Sequence, residues 1–184
     1  MANNIKLRFL QLIHFSSLSY TPAYPYSDDV DLKREQIWTN LQKGIFFEDT
    51  GVFVPWYISL AFLDCHAERK NHSGNQNRWF FGGRSILDGY KSRLEAKIDD
   101  FGRYKTQFVE ISEFLGFDFE GMERFNFLKS HITELLGEPS KHESERFGQF
   151  DVGYYEWENG RVTISIIGFE QFACKYFLTI GIKK

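Results

Sequence analysis

Over residues 118 to 136, Met122, Phe125, Leu128, Ile132, Leu135 and Leu136 return every three or four positions, the spacing that places them on one face of a helix. Asp118 is expected as the N-cap, and Glu120 and Glu123 suit the positive end of the helix dipole. Gly137 followed by Pro139 supplies the stop. Beyond it the period falls to two. Tyr155, Trp157, Val162, Ile164 and Ile166 share one face, and Glu156, Glu158, Arg161, Thr163 and Ser165 share the other. Asn159-Gly160 between them is a strong hairpin signal, and it predicts a register in which Glu158 faces Arg161 and Trp157 faces Val162. A third strand over residues 173 to 182 alternates Cys174, Tyr176, Leu178, Ile180 and Ile182 with more polar neighbours. Residues 118 to 182 therefore predict a helix laid on the apolar face of a three-strand antiparallel meander.

The first 117 residues are less regular. Residues 4 to 15 alternate as a strand that includes His14. Residues 20 to 31 hold Pro22 and Pro25 and read as a loop rich in tyrosine and aspartate. A helix over 31 to 43 follows, with Leu32, Ile37, Trp38 and Leu41 as its stripe and Gly44 as its stop. Asp49-Thr50-Gly51 predicts a hairpin turn between residues 45 to 48 and 52 to 54. The apolar run 56 to 65 reads as a strand buried on both faces, and 67 to 78 as a polar loop. Gly82-Gly83-Arg84-Ser85 reads as a tight turn, since it lacks the lysine and spacing of a phosphate loop. Residues 90 to 99 alternate as a strand with one buried face. Residues 105 to 115 fit a strand or a short helix equally well. The fold class expected is α+β: a mostly antiparallel sheet against two main helices, in one domain, with 117/118 as the only natural place for a subdivision.

Composition narrows the function more by exclusion than by assignment. Of the 184 residues 18% are aromatic, including 20 Phe, and 26% are charged, which is enough core and enough charge for a soluble globular chain. A net charge of -3 argues against a protein whose main affinity is for a nucleic-acid backbone. The first eight residues do not form a signal peptide, and no window is apolar enough to span a membrane, so a cytoplasmic location is expected. Cys65 and Cys174 are too few for a disulfide scaffold, though a single bridge remains open. Asp64, Cys65 and His66 invite a metal reading, with His72 as a further ligand. However, alternation in a strand would separate Cys65 from the other two, and a closed set of four is missing. His14, Cys65, His66, Glu170 and Cys174 lie in no motif that states catalytic geometry, so no catalytic residue, metal or cofactor is assigned.

Two functional readings follow. In the first, Tyr24, Tyr26, Asp28, Asp29 and Asp31 in the loop before the first helix, with Glu48 and Asp49 in the next turn, form a contact surface for a basic partner. In the second, the aromatic-rich sheet walls a small-molecule pocket with Trp56, Trp79 and His66 near its mouth.

The C-terminal unit favours the first. Its helix ending Leu135-Leu136-Gly137-x-Pro139, the strand ending in Trp157, the Asn159-Gly160 turn, Ile164-x-Ile166, and the closing Tyr176-x-Leu178-x-Ile180 together resemble small bacterial immunity proteins of polymorphic-toxin and contact-dependent growth inhibition systems. The likeness covers about a third of the chain. It implies a cytoplasmic, non-enzymatic protein that binds a cognate toxin domain, such as a basic nuclease, and blocks its active site or its access to substrate.

Overall fold

Asp29 starts the first helix of the computed structural model, which describes residues 20–58, 60–73, 76–99 and 108–183. The Asp29 carboxylate accepts the Leu32 N–H at 2.9 Å, the usual way an N-cap satisfies an orphan donor. Helix α1 (Val30–Lys43) leads into the hairpin β1 (Gly44–Phe47) and β2 (Val52–Pro55), the short helix α2 (Leu60–His66), and strands β3 (Arg69–Ser73), β4 (Gln76–Ile86), β5 (Tyr90–Asp99) and β6 (Glu110–Phe117). The long helix α3 (Asp118–Leu136) and strands β7 (Lys141–Phe147), β8 (Phe150–Asn159), β9 (Val162–Glu170) and β10 (Cys174–Ile182) complete the order. The architecture is α+β. Eight of the strands form one antiparallel sheet in the order β3-β4-β5-β6-β10-β9-β8-β7, so both halves of the chain share a sheet and no boundary divides it at 117/118. The strand expected at residues 4 to 15, with His14, lies outside the described residues.

One face of the sheet is covered. α3 lies across β6, β10, β9 and β8 and buries Phe125, Leu128, Ile132, Leu135 and Leu136 against Trp157, Ile164, Ile166, Tyr176 and Leu178. Ile37, Trp38 and Leu41 of α1 and the β1–β2 hairpin extend that core. Leu32, expected in the α1 stripe, is exposed instead, because it stands five residues before Ile37, roughly 140° around the helix. The approach of α3 to the sheet is close. A Cβ on Gly121 would lie 2.5 Å from the Tyr176 ring and 2.6 Å from the Gly116 carbonyl.

Several expectations are corrected. Asp118 is not the N-cap of α3: Phe117 holds that position without a side-chain cap. Asp118 instead accepts the Cys174 N–H at 3.2 Å, tying the helix start to β10. The β8–β9 loop is Gly160-Arg161, with Asn159 paired to Val162 and Trp157 to Ile164. Gly160 alone adopts the positive φ, 57°. The partner strand is thereby displaced two residues from the predicted register, and a displacement of two preserves every face.

Residues 56 to 65 are not a strand. Tyr57 at φ 63° turns the chain and α2 follows, since a continuous apolar run suits a buried helix as well as a buried strand. The polar stretch after it is β3, held to its aromatic neighbour β4 by Arg69 over the Phe80 ring at 4.4 Å and Lys70 over Trp79 at 5.0 Å. Gly82-Gly83-Arg84-Ser85 is a bulge inside β4, where the register shifts between Phe80 and Gly83 and Gly82 has φ 69°. The chain reverses later, at Leu87-Asp88-Gly89. Residues 110 to 117 resolve as strand.

Candidate partner-binding surface

The tyrosine- and aspartate-rich loop is fixed onto α1 by two amides. Asn40, buried in the helix, accepts from the Tyr20 hydroxyl at 2.7 Å and the Ala23 N–H at 3.0 Å, and donates to the Ala23 carbonyl at 3.1 Å. Gln36 accepts the Ser27 N–H at 2.8 Å. A buried amide with its valences filled by one segment of backbone holds that segment in place. Within the loop Tyr24 and Tyr26 meet edge to face at 5.4 Å, and Tyr24 also leans on Phe46 at 5.4 Å. Tyr24 is half exposed, whereas Tyr26 packs against the core. Burial, then the nearby Glu48 carboxylate, pushes the Tyr26 hydroxyl pKa well above its ordinary value.

The predicted carboxylates divide into two groups. Asp28, just before the N-cap, and Asp31, in the first turn of α1, are exposed, with Asp31 3.1 Å from Arg34. Asp29 is exposed but is occupied as the N-cap. Glu48 is buried and faces inward, away from any partner. Leu87, Asp88 and Gly89 all have positive φ, a conformation that aims successive N–H groups at one point. Glu48 fills that point: it accepts from Asp88 N and Gly89 N at 2.8 Å each and from the Ser85 hydroxyl at 3.4 Å. Asp49 accepts the Ser85 N–H at 3.0 Å. Glu48 and Asp49 therefore brace the β4–β5 turn, and Asp88 of that turn binds Lys33 of α1 at 2.8 Å, which raises the lysine pKa.

Helix packing adds carboxylates that sequence proximity could not reveal. Arg34 donates to the Leu135 carbonyl at 3.2 Å, so the exposed side of α1 adjoins the last turns of α3. Asp28, Asp31 and Glu35 from α1 and its entry are thereby grouped with Glu134 and Glu138, all exposed. The basic side chains among them are already engaged, Lys33 by Asp88 and Arg34 by Asp31 and Leu135. Two open depressions flank the junction. One of about 400 Å³ is bordered by Asp31, Glu35 and Trp38. The other, about 560 Å³, is bordered by Glu134, Glu138, His142 and Tyr155, with Lys129 over the Tyr155 ring at 5.1 Å.

The aromatic-pocket residues do not line an open wall. Trp56 is buried, stacked on Phe108, and donates to the Leu41 carbonyl at 2.7 Å. Trp79 is fully buried and donates to Asp64 at 2.6 Å. That bond, with Lys70 beside it, lowers the Asp64 pKa, while burial lowers that of His66. Cys65 and Cys174 are not joined in a disulfide. Among the described residues no group of three or more His, Cys, Asp or Glu could hold a metal ion, and no helix is long and apolar enough to cross a membrane.

One polar centre escaped the sequence reading. Glu113 of β6 is fully buried under α3. Arg124 reaches one of its oxygens at 2.5 Å and Arg93 N the same oxygen at 2.9 Å, while Ser92 at 2.6 Å and Tyr90 at 3.2 Å reach the other. Burial, followed by the Glu113 charge, pushes the Tyr90 hydroxyl up to about 12. With both oxygens filled, Glu113 serves as a clamp between α3, β5 and β6. The available signal was a carboxylate at an inward position between Ile111 and Leu115.

No family model, no curated protein and no solved structure matches the chain, so the functional reading rests on the surface itself.

Proposed function

We propose that the chain is an immunity-type protein that binds and neutralises a cognate basic toxin domain, such as a nuclease, by covering its active site or its route to substrate. The observation that carries this reading is the single exposed face where Asp28, Asp31, Glu35, Glu134 and Glu138 gather while the neighbouring Lys33 and Arg34 are already paired. Even with Arg34 offsetting Asp31 and Lys129 nearby, the face carries an excess of negative charge, which steers a basic partner into contact and helps fix its orientation. It repels the phosphate backbone that a nuclease would otherwise bind. Tyr24 stands at its edge as an aromatic anchor, and the loop bearing Tyr24 and Asp28 is held by Asn40 and Gln36, so little ordering entropy is lost on contact.

The test is affinity capture from the source cytoplasm with tagged protein, comparing the wild type with the double variant Asp28→Lys, Asp31→Lys. One basic polypeptide should be captured by the wild type, released by salt within the range where screening shortens to ~3–10 Å, and lost by the variant. Wild-type protein should also suppress the captured polypeptide's activity on plasmid DNA. Equal capture by both proteins, or capture indifferent to salt, overturns the proposal.

A further inference from the structure

At the opposite end of α3 the molecule presents a surface of different character. Three connections end there: the β6–α3 junction, the β7–β8 turn and the β9–β10 turn. They bring Phe117, Phe119, Phe147 and Phe172 to the exterior. Phe172 is fully exposed, the other three are about half exposed, and Phe114 on the adjoining open face of the sheet is 40% exposed. The rings form two contiguous groups. Phe114 touches Phe117 at 4.7 Å and Phe177 at 5.1 Å, and Phe177 stacks on Phe169 at 5.8 Å. Around the corner Phe119 meets Phe150 at 4.9 Å, and Phe150 pairs with Phe147 across the β7–β8 hairpin. Asp118 stands between Phe117 and Phe119, and its bond to Cys174 N holds the β9–β10 turn beside them.

An exposed Phe presents about 200 Å², so Phe114 with Phe117 offers roughly 200 Å² on one side of the corner, Phe119 with Phe147 roughly 200 Å² on the other, and Phe172 in the adjoining turn about 200 Å² more. A segment that wraps the corner and reaches all three would cover somewhat less than the ~800 Å² that one partner contributes to a stable complex. The rim decides what fits. Glu120, Glu123 and Glu170 are exposed around the rings. Of the nearby cations, Arg146 faces Asp151 at 3.8 Å and Lys175 donates to the neutral Gln171 amide at 3.2 Å, so the three exposed carboxylates outnumber the one cation without a carboxylate partner. A second copy would bring like charges together around the rings, and an anionic lipid surface would meet the same repulsion. A 19-residue α3 is roughly 28 Å long, so this end is distinct from the acidic face around Glu134 and Glu138.

We infer that the phenylalanine-rich end is a second docking surface, whose partner is a polypeptide segment with an apolar centre flanked by lysine or arginine. Large aromatic side chains at the centre of a contact supply most of its binding energy, and the carboxylate rim selects for flanking cations. Phe172 holds φ 65°, a conformation asparagine adopts readily, so Phe172→Asn removes the most exposed ring without straining the turn.

Anisotropy titrations of the full chain would use three fluorescein-labelled synthetic peptides. One has an apolar centre flanked by arginines, the second the same centre flanked by glutamates, and the third a wholly polar centre flanked by arginines. The first should bind, and the other two at least tenfold more weakly. Phe172→Asn and Phe119→Ser should each weaken the first peptide at least fivefold while leaving the thermal midpoint within a few degrees. The double variant Asp28→Lys, Asp31→Lys should leave it unchanged. Equal affinity for the three peptides overturns the inference, as does binding unaffected by either Phe substitution. Two other outcomes also overturn it: concentration-dependent dimerisation abolished by Phe172→Asn, which identifies a second copy as the occupant, and binding to phosphatidylcholine vesicles in preference to peptide, which identifies a membrane.

Discussion

Removing Arg124 should destabilise the fold, and removing the charge of Glu113 afterwards should partly restore it. In the wild type the fully buried Glu113 carboxylate is balanced by Arg124, whose side chain is 33% exposed. Deleting one partner of a buried pair ordinarily costs ~3–5 kcal/mol, because the remaining charge has no compensation. Here Tyr90, Ser92 and Arg93 N still reach the carboxylate, so Arg124→Ala is expected to cost about 2–3 kcal/mol. Glu113→Gln alone should cost about 1–2 kcal/mol: the new amide oxygen can still accept the Arg93 N–H, its nitrogen can donate to the Tyr90 and Ser92 hydroxyl oxygens once those hydroxyls turn, and Arg124 can turn toward water. In the Arg124→Ala background the sign should reverse, since glutamine removes an unpaired charge. The cycle should give a coupling of about 1–3 kcal/mol. Urea unfolding at neutral pH, followed by the fluorescence of the four tryptophans, measures each term by linear extrapolation. Additivity within ~0.5 kcal/mol would refute the claim that the two charges act as a pair.

Other substitutions probe separate features. Gly121→Ala should lower the thermal midpoint despite alanine's better helix propensity, because overpacking costs ~1–3 kcal/mol against a propensity gain of ~1; calorimetry decides. Asn40→Ala should leave the helical circular dichroism intact while exposing residues 20 to 28 to limited proteolysis, and an unchanged cleavage pattern would mean the loop is held by something else. Tyr90, Tyr154 and Tyr176 are each raised to about 12, chiefly by burial. Their contribution to stability should therefore be constant below pH ~10, where tyrosine ionises in the unfolded chain, and decline as the pH rises toward ~12. Absorbance titration at alkaline pH should show these tyrosines ionising late, and a fully normal titration with the fold retained would contradict it.

What the sequence made legible was local, and what it hid was tertiary. Periods of 3.6 and 2 located α3, β8, β9, β10 and β5 because each buries one face, and burial of one face is what periodicity reports. The run that became α2 is mostly apolar, with Asp64 its one charge, so it carries no clear period. β3 is polar because cations over Phe80 and Trp79 hold it rather than a buried stripe. Of the acidic surface, Asp28, Asp29 and Asp31 were visible as neighbours in the chain. Glu134 and Glu138 join them only because Arg34 binds the end of α3. Glu48 was misjudged because a turn tip is usually wet, whereas this one faces three N–H and O–H donors from β4–β5.

Among the described residues β3 and β7 are the edge strands of the eight-stranded sheet, and the character of β7 sets what that edge offers another chain. β7 is exposed along its whole length and reads Lys141-His142-Glu143-Ser144-Glu145-Arg146-Phe147, with Lys141 already paired to Glu156 and Glu158 of its neighbour. An incoming strand would find free backbone donors and acceptors there. It would also have to desolvate Lys141, Glu143, Glu145 and Arg146 to use them, and charged side chains are how natural edge strands discourage growth of the sheet. β7 therefore ends its side of the sheet, and its charges protect a β-rich, phenylalanine-rich chain from polymerising through that edge.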